Sequence, residues 1–133
     1  MVDSEMPVPE SALVWEHVRQ REGDGWERPN EAQESDLHFM VQCMEAWFFA
    51  DINAVQSYFG NGFRSANLTT RPIEEIPKQD IANQLNAATR ATPKGEYDKG
   101  RHSFEILRQI DARRIENASP FAKRFFDRLR EVC

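Results

Sequence analysis

LHFMVQCMEAWFFADINAVQSYFGNGF, residues 37 to 63, is the most apolar run of the chain and sets what the rest must pack against. Leu37, Met40, Val41, Met44, Trp47, Phe48, Val55 and Tyr58 form one stripe at helical spacings, and Phe39, Cys43, Phe49, Ile52 and Phe59 fill most of the remaining circumference. A helix that is apolar nearly all round is a buried one. Gln42, Glu45, Asp51 and Gln56 interrupt the run, so it is not a membrane span. Ser35 or Asp36 can cap its start, with Glu31 and Glu34 near the positive end of the helix dipole. Gly60-Asn61-Gly62 tolerates positive φ and marks its end, and Asp51-Ile52-Asn53 marks a kink. The expectation is one buried central helix from Leu37 to Phe59.

Asp51-Ile52-Asn53 followed by Gln56-Ser57-Tyr58-Phe59-Gly60-Asn61-Gly62 resembles the pattern of a family of small, all-α bacterial proteins. That family carries a domain of unknown function and includes a dimeric DNA-mimic protein. Its acidic residue, aliphatic, Asn, Gln, Tyr-Phe pair and later Asn are kept here, whereas its Asn-Gly-Gly-Phe centre is missing. The resemblance implies a helical fold and, at its furthest, a protein that imitates DNA to occupy a basic site.

Outward from the centre, other helices are expected. Residues 11–21 place Leu13, Val14, His17 and Val18 on one face, with Ser11 as cap. Residues 63–76 read as irregular. Pro77 opens a helix over 78–90 with Ile81, Leu85 and Ala88 inward, and Thr92-Pro93 ends it. Asp98 caps a helix reaching about Glu116, with Phe104, Leu107, Ile110 and Ile115 inward. Ser119-Pro120 starts the last helix, whose Phe121, Phe125, Phe126, Leu129 and Val132 face the core. No stretch alternates long enough to make a strand. The fold expected is all-α: a single-domain irregular bundle of four to five helices around a central apolar helix, over residues 11–133, with residues 1–10 as a flexible arm.

Composition narrows the classes. The 133 residues are 40% hydrophobic, enough for a core, and the two cysteines make no disulfide framework. The N-terminal residues lack the basic and apolar regions of a signal peptide, so the expected location is the cytoplasm. His17, His38 and His102 are isolated, no CxxC or HExxH occurs, and no glycine-rich loop precedes a helix. No cofactor or metal is expected. Cys43 has no basic neighbour to activate it.

Three constellations remain. Glu45 and Asp51 in the apolar run read either as an acid/base pair in a pocket or as structural carboxylates. In the structural reading, which is preferred, Glu45 pairs with an arginine of the last two helices and Asp51 caps a neighbouring segment. The outward Arg101, Arg108, Arg113, Arg114, Lys123, Arg124, Arg128 and Arg130 carry no interleaved aromatics, so direct nucleic-acid binding is not favoured.

The third constellation is acidic. The net charge of −5 is split as −9 over residues 1–60 and +4 over 61–133. The loop residues Glu22, Asp24, Trp26, Glu27, Glu31, Glu34 and Asp36 are the candidate partner-binding set. Spaced carboxylates can occupy a basic site on another protein. The reading adopted is a small acidic, non-catalytic interaction protein of inhibitor, immunity or DNA-mimic type, with a basic and nucleic-acid-handling partner. The alternatives are a small enzyme using Glu45 and Asp51, or a homo-oligomer, a dimer being the simplest, that buries Trp26 or Phe63.

Overall fold

A computed structural model describes residues 1–20 and 27–132. The described residues are mostly helical, with one two-stranded sheet. In order they form β1 (Val2–Asp3), α1 (Val14–Gln20), β2 (Phe39–Met40), α2 (Ile52–Phe59), α3 (Lys78–Thr89), α4 (Lys99–Gln109), α5 (Ala112–Ala118) and α6 (Pro120–Val132). Short 3-10 segments at Glu34–Asp36, Met44–Ala50, Ser65–Asn67 and Ile73–Glu75 join them.

The central run is buried as expected, but it is not one helix. Phe39 and Met40 form β2, parallel to β1 in the register Val2–Phe39 and Asp3–Met40. Gln42 then takes φ +66, which stops any helix from continuing through it. Met44–Ala50 is a 3-10 helix, and Asp51 turns the chain into α2. Ubiquitous apolar residues carry no phase, and burial on all sides suits a strand or a 3-10 turn as well as a helix. The acidic start signal is real but local: the Gln33 backbone N–H donates to Asp36 Oδ2 at 2.8 Å, and this box opens only the 34–36 turn.

Gln42 is the joint of this region. It is 2% exposed. Its backbone N–H donates to Ser4 Oγ at 2.6 Å and its carbonyl accepts from the Glu5 N–H at 2.9 Å. Its Oε1 accepts from the Lys78 N–H at 3.1 Å, at the start of α3. Residues 1–10, expected as a flexible arm, are therefore bonded to the middle of the chain at positions 2, 4 and 5, and Val8 is buried.

The later helices follow the sequence more closely. α3 starts after Pro77 and buries Ile81, Leu85 and Ala88. Asp98 caps α4 by accepting from the Arg101 N–H at 3.0 Å. The expected single helix to Glu116 is split at Ile110, because Asp111 caps a new helix by accepting from the Arg113 N–H at 2.9 Å. The inner face of α4 also differs: His102, Ser103 and Ile106 are buried, whereas Phe104 points outward. His102 takes the inner place because its ring packs edge-on against Tyr58 and Phe59. On α6, Phe121 and Ala122 are buried and Phe125 and Phe126 half-buried, but Leu129 and Val132 are exposed, against expectation. The helix runs past the core before it ends.

Two apolar clusters result. The larger gathers Trp47, Phe48, Val55, Phe59, Ile81, Leu85 and Ile106; the smaller gathers Val14, Val18, Leu37, Phe39, Val41 and Phe121. α6 serves both, through Ala122 and Phe121 respectively. Its start is held by Glu74, which accepts from the Ser119 hydroxyl and, at 3.1 Å, from the Phe121 N–H.

His102 gives this core a pH dependence. Its Nδ1 accepts from the Asp98 N–H at 2.9 Å, so the ring is neutral with its proton on Nε2. Burial lowers its pKa, and burial likewise lowers that of His38. Below a pH of about 6.5 the unfolded chain takes up protons that the folded chain refuses. Stability is therefore expected to fall as pH drops through that value and to level off once the folded-state pKa is passed. Urea midpoints at pH 7.5 and 5.5 check this, and equal midpoints would contradict it.

Candidate partner-binding groove

A groove of about 510 Å3 lies between the entry to α1, the 34–36 turn and α6. Its floor is apolar: Leu13, Val14, Leu37 and Phe121 line it, beside His38. Leu13 is 63% exposed although it directly precedes α1. The Pro9–Ala12 turn, closed by the Ala12 N–H to the Pro9 carbonyl at 2.9 Å, holds it there. His38 donates from Nε2 to the Ser35 carbonyl at 2.5 Å and meets Phe125 edge-on.

The rim is charged. Glu10, Glu34, Asp127 and Glu131 face Arg124 and Arg128 across it. Both arginines are occupied internally. Arg128 pairs with Asp36 at 3.0 Å and Glu131 at 3.2 Å. The Arg124 guanidinium lies over the Phe121 ring and bonds the Glu10 carbonyl. The rim thus keeps an excess of carboxylate, and any cation set there meets little competition from the rim's own charges.

The sequence-derived binding set divides three ways. Glu22, Asp24 and Trp26 lie outside the described residues. Glu27 and Glu31 are exposed. Glu34 and Asp36 border the groove but are partly compensated: Glu34 accepts from the Trp15 N–H at 3.4 Å and sits 3.6 Å from Arg28, and Asp36 is tied to Arg128. Glu10, Leu13, Asp127 and Glu131 escape a sequence reading, because only the fold sets α6 beside the 34–36 turn.

A family model described as Domain of unknown function (DUF4276) matches residues 1–130. The chain belongs to that family. No curated protein and no solved structure matches it. The matched span runs from β1 into α6, so both walls of the groove lie inside the family domain. The family's description assigns it no activity.

The other constellations fall into structural roles. Glu45 and Asp51 sit in separate ion pairs. Glu45 accepts from the Tyr97 hydroxyl at 3.2 Å and lies 3.9 Å from Lys99, not from an arginine of the last helices. Asp51 caps α2 and bonds the Asp111 N–H at 3.0 Å, with Arg114 at 4.0 Å. Burial pushes the Cys43 thiol up to about 12, which removes its thiolate at neutral pH. Among the described residues no group of three or more His, Cys, Asp or Glu could hold a metal, and no helix is long and apolar enough to cross a membrane. The basic residues are largely spoken for: Lys123 with Asp127, Arg130 with Glu116 and Asp127, Arg101 with Asp98. Phe63, one of the two aromatics expected at a symmetric contact, is half-buried and stacked on Phe59 at 6.1 Å.

Proposed function

We propose that this protein is an acidic, non-catalytic interaction protein whose groove holds a basic segment of a partner protein. The observation that carries the proposal is the open apolar floor under a rim of four carboxylates whose two arginines are already engaged. An apolar side chain of the partner fills the floor beside Leu13, and lysine or arginine residues flanking it meet Glu10, Glu34, Asp127 and Glu131. Glu27 and Glu31 extend the negative surface next to the groove. An inhibitor, immunity or DNA-mimic protein would use such a surface against a nucleic-acid-handling partner, and the cytoplasm is the setting proposed.

The test is capture of partner proteins from host lysate by the full chain, at low and high salt. A basic protein is expected to be retained and then released by salt. Leu13 is exposed, so Leu13→Lys leaves the fold intact, and it is expected to weaken that complex at least about fivefold. Neutralising Glu31 and Glu34 together should weaken it as well. Retention unaffected by salt and by Leu13→Lys would show that the groove is not the binding site.

A further inference from the structure

A second apolar pocket, of about 490 Å3, shares no lining residue with the groove. Met1, Val2, Met40, Met44 and Leu107 line it, and Phe104 of α4 stands at its lip, 74% exposed. Of the nine phenylalanines, the other eight are buried or half-buried. The ring is not forced outward by a lack of apolar space, since the pocket it borders is open.

From this juxtaposition we infer that the face is a two-fold interface between copies of this chain, in which Phe104 of each copy enters the methionine-lined pocket of the other. A projecting ring beside a cavity of ring size is self-complementary, and a rotation that seats one ring seats the other. A different partner would have to supply both a matching ring and a matching cavity. Methionine side chains adapt to an aromatic ring and gain contact through sulfur.

Charge supports the same occupant. One wall of the pocket is α4, carrying Lys99, which is 63% exposed; the other is the N-terminal segment, carrying Asp3 and Glu5. A rotation that lays α4 of one copy over the N-terminal wall of the other brings Lys99 toward Asp3 and Glu5, twice. Aromatic anchors of this kind dominate interface energetics when they are fully desolvated.

Sedimentation equilibrium of the full chain over micromolar to millimolar concentration tests this. The wild type is expected to be a dimer that weakens with salt. Phe104→Glu is expected to raise the dissociation constant at least about 30-fold. Because position 104 is exposed, its circular dichroism and melting temperature should not change, which separates lost association from lost folding. Lys99→Glu should weaken the dimer without abolishing it. A wild type that stays monomeric throughout, including one that uses this face for another macromolecule, overturns the inference. A Phe104→Glu protein that dimerises as tightly as wild type overturns it too.

Discussion

Gly62→Ala is expected to lower the unfolding free energy by at least about 4 kcal/mol, an exceptional loss for one methyl group on an exposed residue. Gly62 holds φ +87, and a Cβ there would lie 2.2 Å from the Ala91 carbonyl oxygen and 2.9 Å from its carbon. Both are backbone atoms and cannot swing away. The turn is anchored on either side, because the Arg64 N–H donates to the Ala88 carbonyl at 2.9 Å and Phe63 stacks on Phe59. Relief of the clash therefore means lifting the turn off the end of α3. Gly95 is the control. Its φ is +78, but a Cβ added there would meet nothing within 4 Å, so Gly95→Ala should cost only the left-handed penalty of about 1–2 kcal/mol. Denaturant unfolding of the two variants side by side decides the matter. Equal losses would mean that the turn and α3 part easily.

Asp51→Ala is expected to cost about 3 kcal/mol, or a fall in Tm of roughly 10 °C. The side chain is nearly buried, and its two oxygens accept from the N–H groups of Ala54 at 3.3 Å and Asp111 at 3.0 Å. One bond caps α2; the other fixes the junction that separates α4 from α5. Removing the carboxylate leaves both donors without their acceptor. Asp51→Asn keeps one acceptor oxygen and should lose about half as much. Arg114→Ala, by contrast, should cost less than about 1 kcal/mol, because its guanidinium is mostly exposed and 4.0 Å away. If Arg114→Ala proves the more damaging, the charge pair and not the capping carries the site.

These two residues also show what can be read from the sequence. Gly60-Asn61-Gly62 is legible as the end of a helix, because positive φ is a local property of glycine. That Gly62 lies against Ala91 is not legible, since it depends on where α3 ends in space. Pro77, Asp98 and Ser119-Pro120 announce their helices for the same local reason. The 37–59 run misleads because full burial erases periodicity, and no local rule anticipates φ +66 at a buried glutamine. Phe104 misleads in the opposite sense: hydrophobicity alone points it inward, while His102 holds the inner face through its packing with Phe59. Of the candidate site, the acidic loop is visible as composition. The groove is not, because α6 and the 34–36 turn are separated by most of the chain.

The place of α6 between the two clusters bears on how the chain acquires its structure during synthesis. Phe121 completes the smaller cluster and Ala122 lies in the larger, yet both follow nearly every other core residue in the chain. Until that segment leaves the ribosome, the valines of α1 and Phe39 lack one wall, and Glu74 has no helix start to hold. Nascent chains that stop short of Ser119 thus present apolar surface from both halves at once, which makes them natural clients of holding chaperones.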